Sequence, residues 1–544
     1  MAGRACRAQS NRRDAAGGNR RLTASLRALA RGAPLRLLVL ALAAACAPGM
    51  PRIDGVPGAP VSRDSLWPTP PAARTPAPPP GAPPAPAATA ALRADSLGIA
   101  GERTLSMTDV VGLALANNPA TRQSWALARA AADVYGVARG ELYPTIDGNL
   151  TLSASSGGRG GAVLSPGVSG GTGTGTSGSG TGRATGASAA VTQVTPSASL
   201  SYLVFDVGGR AGSIQAARQR AVAADLSHNA TVSDVVLQVE SSLFSYLADL
   251  ALRDAQQVAV REAEADLAAA RERYRVGVAA IVDVLQTQTA LTQARLQLET
   301  LEGALMSARG TLALAMGFPA NARFDVARVA GCDSVATVAE SVDALVSRAI
   351  GSRPEVAQVR AQAAALAADV RVARSAGYPA LVLNSAASSV HSTLAAPVNS
   401  FGISLGLQIP VFSGFAQQYD VRSAREQYEA GLASVTSEVQ QVTLEVFTSY
   451  YALQAATRRV HTAAELLGYA GQSATVAAGR YRAGVGTIVD VILARSALAT
   501  ARAEDIQARW EWRTALAQLA HDTGTLDLRG EPGLPLTPDS TGGR

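Results

Sequence analysis

Residues 197–204 alternate between two classes of side chain: Ala198, Leu200, Tyr202 and Val204 are separated by Ser197, Ser199 and Ser201. Ile146, Leu150 and Leu152 alternate in the same way with Asp147, Asn149, Thr151 and Ser153. Phe401, Ile403, Leu405, Leu407 and Ile409 alternate with Ser400, Gly402, Ser404, Gly406 and Gln408. A period of two sends one class to each face of a strand. An apolar face backed by a small, polar one over about ten residues predicts a membrane β-barrel strand, with lipid outside and water inside. A half-buried strand of a soluble sandwich has the same local pattern. A fourth stretch near Leu381–Ser389 alternates poorly.

Between these stretches the period changes to that of a helix. Shorter helices are predicted over 107–118 and 119–140, the second stopped by Tyr143-Pro144. Residues 197–318 and 411–531 contain no Pro, and each holds a long helix (209–275 and 416–482), a tight turn and a return helix (281–317 and 488–521). At 1.5 Å per residue the long helices span roughly 100 Å. The return helix keeps a 3-4 apolar spacing through Leu291, Ala294, Leu298, Leu301, Leu305, Ala308, Leu312 and Ala315, the seam of a coiled coil. It is shorter than its partner by about one helix like 119–140, so two short helices stacked end to end match the long one.

The chain contains this unit twice. RYRVGVAAIVDVL at 273–285 returns as RYRAGVGTIVDVI at 480–492, placing Tyr274 and Tyr481, Gly277 and Gly484, and Asp283 and Asp490 each 207 residues apart. Phe205 and Phe412 keep that offset, whereas Pro119 and Pro354, and Tyr143 and Tyr378, are offset by 235. The first copy therefore carries 28 extra residues, in the Gly/Ser/Thr run around 156–190. This gives a first repeat at 100–317 with its tip at 274–283, a linker at 318–340, and a second repeat at 341–525 with its tip at 481–490. Four strands cannot close a barrel, and a membrane cannot hold an open sheet edge. If the strands lie in a membrane, they must be pooled among copies, and three chains supply twelve.

Composition removes several chemistries. All 48 basic residues are Arg, which excludes a P-loop or Schiff-base lysine. Nine Arg and one Asp lie in residues 1–45; the rest of the chain holds 39 Arg against 41 acids, so the basic balance does not indicate a nucleic-acid partner. Residues 1–45 read as a secretory signal peptide with the apolar run LRLLVLALAAA, too short to span a bilayer. Ala43-Ala44-Ala45-Cys46 resembles a bacterial lipobox, with Leu42 one place early, which would make Cys46 a lipidated N-terminus; Ala47 after it favours the outer membrane. Residues 46–95 form the anchor and a tether, 14 Pro falling in 47–95. Residues 526–544 read as a disordered tail. Cys332 has no partner for a disulfide.

Taken together (lipobox, tether, two helix–strand–strand–long helix–tip–return helix units) the chain resembles the TolC-type outer-membrane efflux family, in its lipoprotein branch. The resemblance covers about residues 100–525, most specifically at the tips and at Val204-Phe205-Asp206 and Val411-Phe412-Ser413-Gly414. It implies an α+β membrane protein in which long helical hairpins form a periplasmic helical barrel. Four strands per chain would enter a 12-stranded transmembrane β-barrel of a homotrimer. It also implies tips that meet a periplasmic membrane-fusion adaptor fed by an inner-membrane pump. Val276, Gly277 and Val278, with Ala483, Gly484 and Val485, match the family's adaptor-docking motif. Asp490 matches the carboxylate that rings the periplasmic constriction, and Asp283 and Tyr481 match partners in the latch that shuts the tip. The family's Arg is replaced by Gly486 and a second Asp by Leu493, changes that weaken the latch and the cation filter. The implied function is the exit duct of a tripartite efflux pump or type I secretion system. The alternative is a lipid-anchored structural coiled coil that bridges the envelope without transport.

No catalytic constellation, cofactor motif or metal spacing accompanies this pattern. His228, His391, His461 and His521 share no ligand spacing and are assigned no metal. Gly277 and Gly484 are needed for a turn whatever docks there, and Asp283 and Asp490 suit helix N-termini in their own right.

Overall fold

A computed structural model describes residues 104–156, 190–328, 336–393, 395–527 and 536–538. Cys46, the signal peptide, the tether, Cys332 and most of the Gly/Ser/Thr run lie outside the described residues.

The first repeat begins with β1 (Thr104–Leu105), α1 (Met107–Asn117) and α2 (Pro119–Gly140), followed by β2 (Thr145–Ser156) and β3 (Ala190–Phe205). The long helix α3 (Gly209–Arg275) and the return helix α4 (Ile281–Ala315) complete it. After β4 (Asp325–Val326) and β5 (Ala336–Val338) the order recurs: α5 (Val342–Ser352), α6 (Pro354–Ser375), β6 (Ala380–Ser392), β7 (Val398–Gln408), α7 (Ala416–Arg482) and α8 (Ile488–Asp522). The strand β8 (Leu536–Pro538) closes the sequence of elements. Every long helix obeys the two repeat offsets. Both return helices stop at 35 residues, two short of the expected end in the first and one beyond it in the second.

Local chemistry sets the boundaries. Asn118 ends α1 and caps α2: its side-chain oxygen accepts from the Ala120 amide, and Pro119 takes the first helical position, where no amide hydrogen is needed. The other side of the same carboxamide donates to Ala315 O at 3.0 Å, so α2 stacks on the end of α4 as the lengths require. In the second repeat Ser352 Oγ does this work by donating to Thr523 O. The predicted seam packs inward: Leu291, Leu305, Leu312 and Ala315 are buried between α4 and α3. α3 contains a stretch apolar enough to cross a membrane by composition, but half of it is covered by neighbouring helices.

The four long strands form one antiparallel sheet in the order β2-β3-β6-β7. Rows of partners confirm the alternation. Ile146, Leu200, Ser385 and Ile403 line up on one face, and Asn149, Ser197, Ser388 and Ser400 on the other. Leu150 and Phe401 are each 74% exposed, and no second four-stranded sheet exists among the described residues to cover them. That removes the soluble-sandwich reading. β3 starts at Ala190, ahead of the alternating stretch, and runs through Pro196; its ladder to β6 lacks partners at Thr195 and Pro196, as a missing amide hydrogen requires. Among the described residues β2 and β7 have each a single neighbour, so both sheet edges are open there.

Two short sheets tie in the linker and the tail. β1 pairs in parallel with β4 of the linker, and β5 of the linker pairs with β8, a strand inside the tail expected to be disordered. Each ties the start of a repeat to the segment that follows its return helix.

The corners between strand and long helix are strained. Val207 (φ 52°) and Gly208 (φ 90°) precede α3; Gly414 (φ 63°) and Phe415 (φ 64°) precede α7. Each corner thus spends one glycine and one ordinary residue on left-handed backbone, in opposite order. Asp206 Oδ2 accepts from the Arg210 amide at 2.5 Å, and Ser413 Oγ does so from Gln417 at 3.5 Å.

Candidate functional site at the hairpin tips

Both tips end their long helix with the same hydrogen bonds. The Val278 amide donates to Arg273 O (2.9 Å) and the Gly277 amide to Tyr274 O (3.0 Å); Val485 donates to Arg480 O (3.0 Å) and Gly484 to Tyr481 O (3.1 Å). This is a Schellman motif, which needs left-handed backbone after the cap; Gly277 (φ 81°) and Gly484 (φ 79°) supply it. Arg273 and Arg275, like Arg480 and Arg482, place positive charge where the helix dipole is negative. Val276, Val278 and Val485 project as exposed apolar groups around these turns, while Ala483 caps α7.

The starts of the return helices differ. Thr487 and Asp490 form a capping box: Thr487 Oγ1 accepts from the Asp490 amide at 3.2 Å, and Asp490 Oδ2 accepts from the Thr487 amide at 3.1 Å. That backbone hydrogen bond, with the Thr487 hydroxyl and the charge of Arg480, holds Asp490 below the usual carboxylate range. Asp490 is thus exposed and ionised. In the first repeat Ala280 stands at the cap and offers no side-chain acceptor. The half-buried Asp283 carboxylate accepts no hydrogen bond among the described residues, although its charge reaches Tyr481.

Tyr481 and Tyr274 are repeat partners in unlike settings: Tyr481 is 8% exposed and Tyr274 48%. Tyr481 packs against Ile488 and Val491, and it is also covered by Arg273, which crosses from the first tip to the second. Its Nη1 donates to Tyr481 O at 2.6 Å, and its guanidinium lies 4.6 Å from the Tyr481 ring centroid. Burial pushes the Tyr481 phenol up; Arg273 opposes this, and the Asp283 and Asp266 charges add to it. The Tyr481 hydroxyl is buried with no hydrogen-bond partner, so the structure places Asp283 near it without joining the two.

Higher up, α3 and α8 are linked by charge. Glu262 takes Arg495 (2.9 Å) and Arg502 (3.1 Å), and Asp266 lies 3.5 Å from Arg495. Between α4 and α8 runs an apolar groove of ≈ 510 Å³ lined by Val282, Leu285, Val489, Ile492 and Leu493. Sequence reasoning singled out neither Arg273 nor Thr487. The Thr-x-x-Asp spacing at 487–490 is a readable capping signature. The Arg273 contact spans 208 residues and leaves no local trace.

The model of the family described as outer membrane efflux protein matches residues 110–318 and 345–525, well over half of the chain. The chain belongs to the outer membrane efflux protein family. It is 27% identical over 451 residues to Protein CyaE of Bordetella pertussis, covering 79% of this chain and 86% of that protein. It is 28% identical over 335 residues to the pyoverdine export outer membrane protein OpmQ of Pseudomonas aeruginosa, covering 60% and 69%. Its fold is similar to those of crystallised CusC (TM-score 0.66, 18% identity, 77% of this chain and 92% of that one) and of the outer membrane protein VceC from Vibrio cholerae (0.64, 17%, 77% and 96%). As an outer membrane efflux protein, the chain is an exit duct for efflux or secretion, and family membership implies trimeric assembly with adaptor and inner-membrane pump components.

Proposed function

We propose that three copies of this chain close a 12-stranded barrel and a continuous helical tunnel, and that adaptor hairpins dock at its tips. One observation carries this reading. α6 packs against α3, and β6 pairs with β3, but α7 and β7 lack the corresponding neighbours among the described residues. The repeat supplies what is missing. Carrying the β3–β6 register through the offsets of 207 and 235 pairs Ser404 with Ser153, Leu405 with Leu152 and Leu407 with Leu150 of the next copy. Each of these three pairs joins like with like, Ser to Ser and Leu to Leu. The same operation lays α2 of the next copy along α7. In this reading the outward sheet face meets lipid, and Cys46 and the tether anchor the chain to the outer membrane.

The tips act by electrostatics and shape rather than catalysis. Three exposed Asp490 carboxylates, kept ionised by the capping box, form a cation-favouring ring at the narrowest point. Tyr481, held by Arg273 and facing Asp283, keeps the second hairpin against the first. Val276–Val278, Ala483–Val485 and the groove above them offer an apolar seat to the adaptor.

The test of the assembly is a disulfide. Antiparallel partners lie within disulfide reach. Ser153→Cys with Ser404→Cys, in a Cys332→Ser background, should give dimer and trimer bands on a non-reducing gel. Asn149→Cys with Ser404→Cys should give none. The reverse pattern would overturn the register. Single-channel conductance of the trimer, wild type beside Asp490→Ala, tests the ring: a cation-selective current should lose selectivity in the variant, and an unchanged ratio would remove Asp490 from the constriction.

A further inference from the structure

The end of α8 brings His521 into the junction of α3 and α6. Its Nδ1 lies 3.1 Å from Asp522 Oδ1, and its Nε2 lies 3.1 Å from Asp234 Oδ1 on α3. A carboxylate oxygen of Glu355, in the first turn of α6, completes a set of three ligand-type atoms all within 4.8 Å of one another. Asp522 is itself fixed by Gln518 Nε2 at 2.8 Å, and Glu355 by Arg353 Nε at 3.2 Å. Nearby on α3, Glu240 is 1% exposed, its Oε1 has no hydrogen-bond partner, and the charge of His521 acts on it.

We propose that Asp234, Glu355 and His521 form a binding site for a divalent transition-metal ion of the zinc class, joining α3 of the first repeat to α6 and α8 of the second. Orientation is the first argument. Asp522 lies at hydrogen-bond distance from Nδ1 and so orients the ring with Nε2 toward Asp234, the arrangement typical of metal-bound histidines. Separation is the second. Donor atoms on a tetrahedral zinc with bonds of about 2.0–2.1 Å stand roughly 3.3 Å apart. The Nε2–Oδ1 distance of 3.1 Å is close to this value, and a Glu355 oxygen stands within 4.8 Å of both donors. The nitrogen donor favours a borderline ion over magnesium or calcium.

Charge and access agree. An ion between Nε2 and Asp234 Oδ1 meets two carboxylates and an imidazole, a donor set that suits a 2+ centre. The Asp234 side chain is 64% exposed, which opens the site to water as a fourth ligand, while His521 at 9% forms its floor. No sequence spacing announces the set, because its members lie 121 and 166 residues apart.

The experiment is zinc titration of the tag-free, detergent-solubilised full chain by calorimetry, with X-ray absorption at the zinc edge. One ion per chain, with nitrogen and oxygen donors only, is expected. Asp234→Asn and His521→Gln should each weaken binding at least about tenfold, by analogy with the 10–100-fold cost of losing even an outer partner. Asp234 is exposed, so its variant folds irrespective of the site and decides the matter should His521→Gln fail to fold. Absence of zinc binding to the wild type, or equal binding by Asp234→Asn, would overturn the proposal.

Discussion

The first halves of α3 and α7 are the same helix placed in different company. In α3, Gly212, Ala216, Ala221, Ala223 and Leu226 are buried, with Gly212 seated against Val372 of α6 and Arg220 paired with Asp369. In α7 the first buried residue is Val442, the repeat partner of Val235. Before it α6 covers one side only in part, at Gly431 against Leu366, and the opposite side is open, including Tyr419 (65% exposed), which stands where α3 has Gly212. The α2 positions equivalent to the α6 contact are open too, with Val137 at 73%. The inversion continues at mid-helix, where buried Glu240 corresponds to half-exposed Phe447. Two interfaces of one design therefore exist, one filled within the chain and one waiting for a second copy. Burial read from a single chain measures only the first.

The sharpest way to break this comparison is a matched pair of substitutions. Ala361→Glu puts a carboxylate into the filled seam beside Leu226 and should cost the chain at least about 3 kcal/mol, seen as a loss of the folded monomer by thermal melting. Its counterpart Ala126→Glu lies on an exposed face and should leave the monomer's melting unchanged while abolishing the trimer on native gels. Equal effects of the two would end the two-interface account.

Next in size is Glu240. Burial raises its pKa to about 8, with His521 opposing. Between about 4.5 and 8 the folded chain keeps a proton that the unfolded chain releases, so stability falls as pH rises through that window. At 1.36 kcal/mol per pH unit the loss is on the order of 3 kcal/mol by pH 7. Glu240→Gln should abolish this slope and melt higher at pH 8, with little difference near pH 4.5. Phe447→Gln, at the matching exposed position, should show no such dependence.

The corners should yield a smaller effect. A β-branched residue at φ 52° carries about 1–2 kcal/mol of strain, so Val207→Gly should raise the melting temperature. Smallest are the caps. Thr487→Ala should cost about 1 kcal/mol and let the Asp490 pKa rise, whereas Ala280→Thr should add a comparable amount by giving Asp283 the box that it lacks. Chemical denaturation and carboxylate titration by NMR check both.

Much of this architecture is legible in the amino-acid order. The long helices run over 209–275 and 416–482 as read, because proline-free stretches, tip glycines and the repeat itself bound them independently. β6 was hard to read because Ser385, Ser389 and His391 interrupt its alternation; it is a strand because β3 and β7 flank it and complete its ladders. The small sheets of β4, β5 and β8 depend on distant partners and left no periodic trace. At the tips the turn glycines and the acidic first turns were readable. The bridge from Arg273 to Tyr481 was not, since it follows from two hairpins lying side by side.

The open edges of β2 and β7 have a consequence for how the barrel comes into being. Joining a second copy hides one pair of edges but leaves another pair at the ends of the longer sheet. A row of two chains is no better satisfied at its margins than one chain, and each bare backbone group would cost several kcal/mol in hydrocarbon. Relief arrives only when the last strand meets the first. Ring closure and entry into the bilayer are therefore a single cooperative event, and partial rings have no stable place in the membrane.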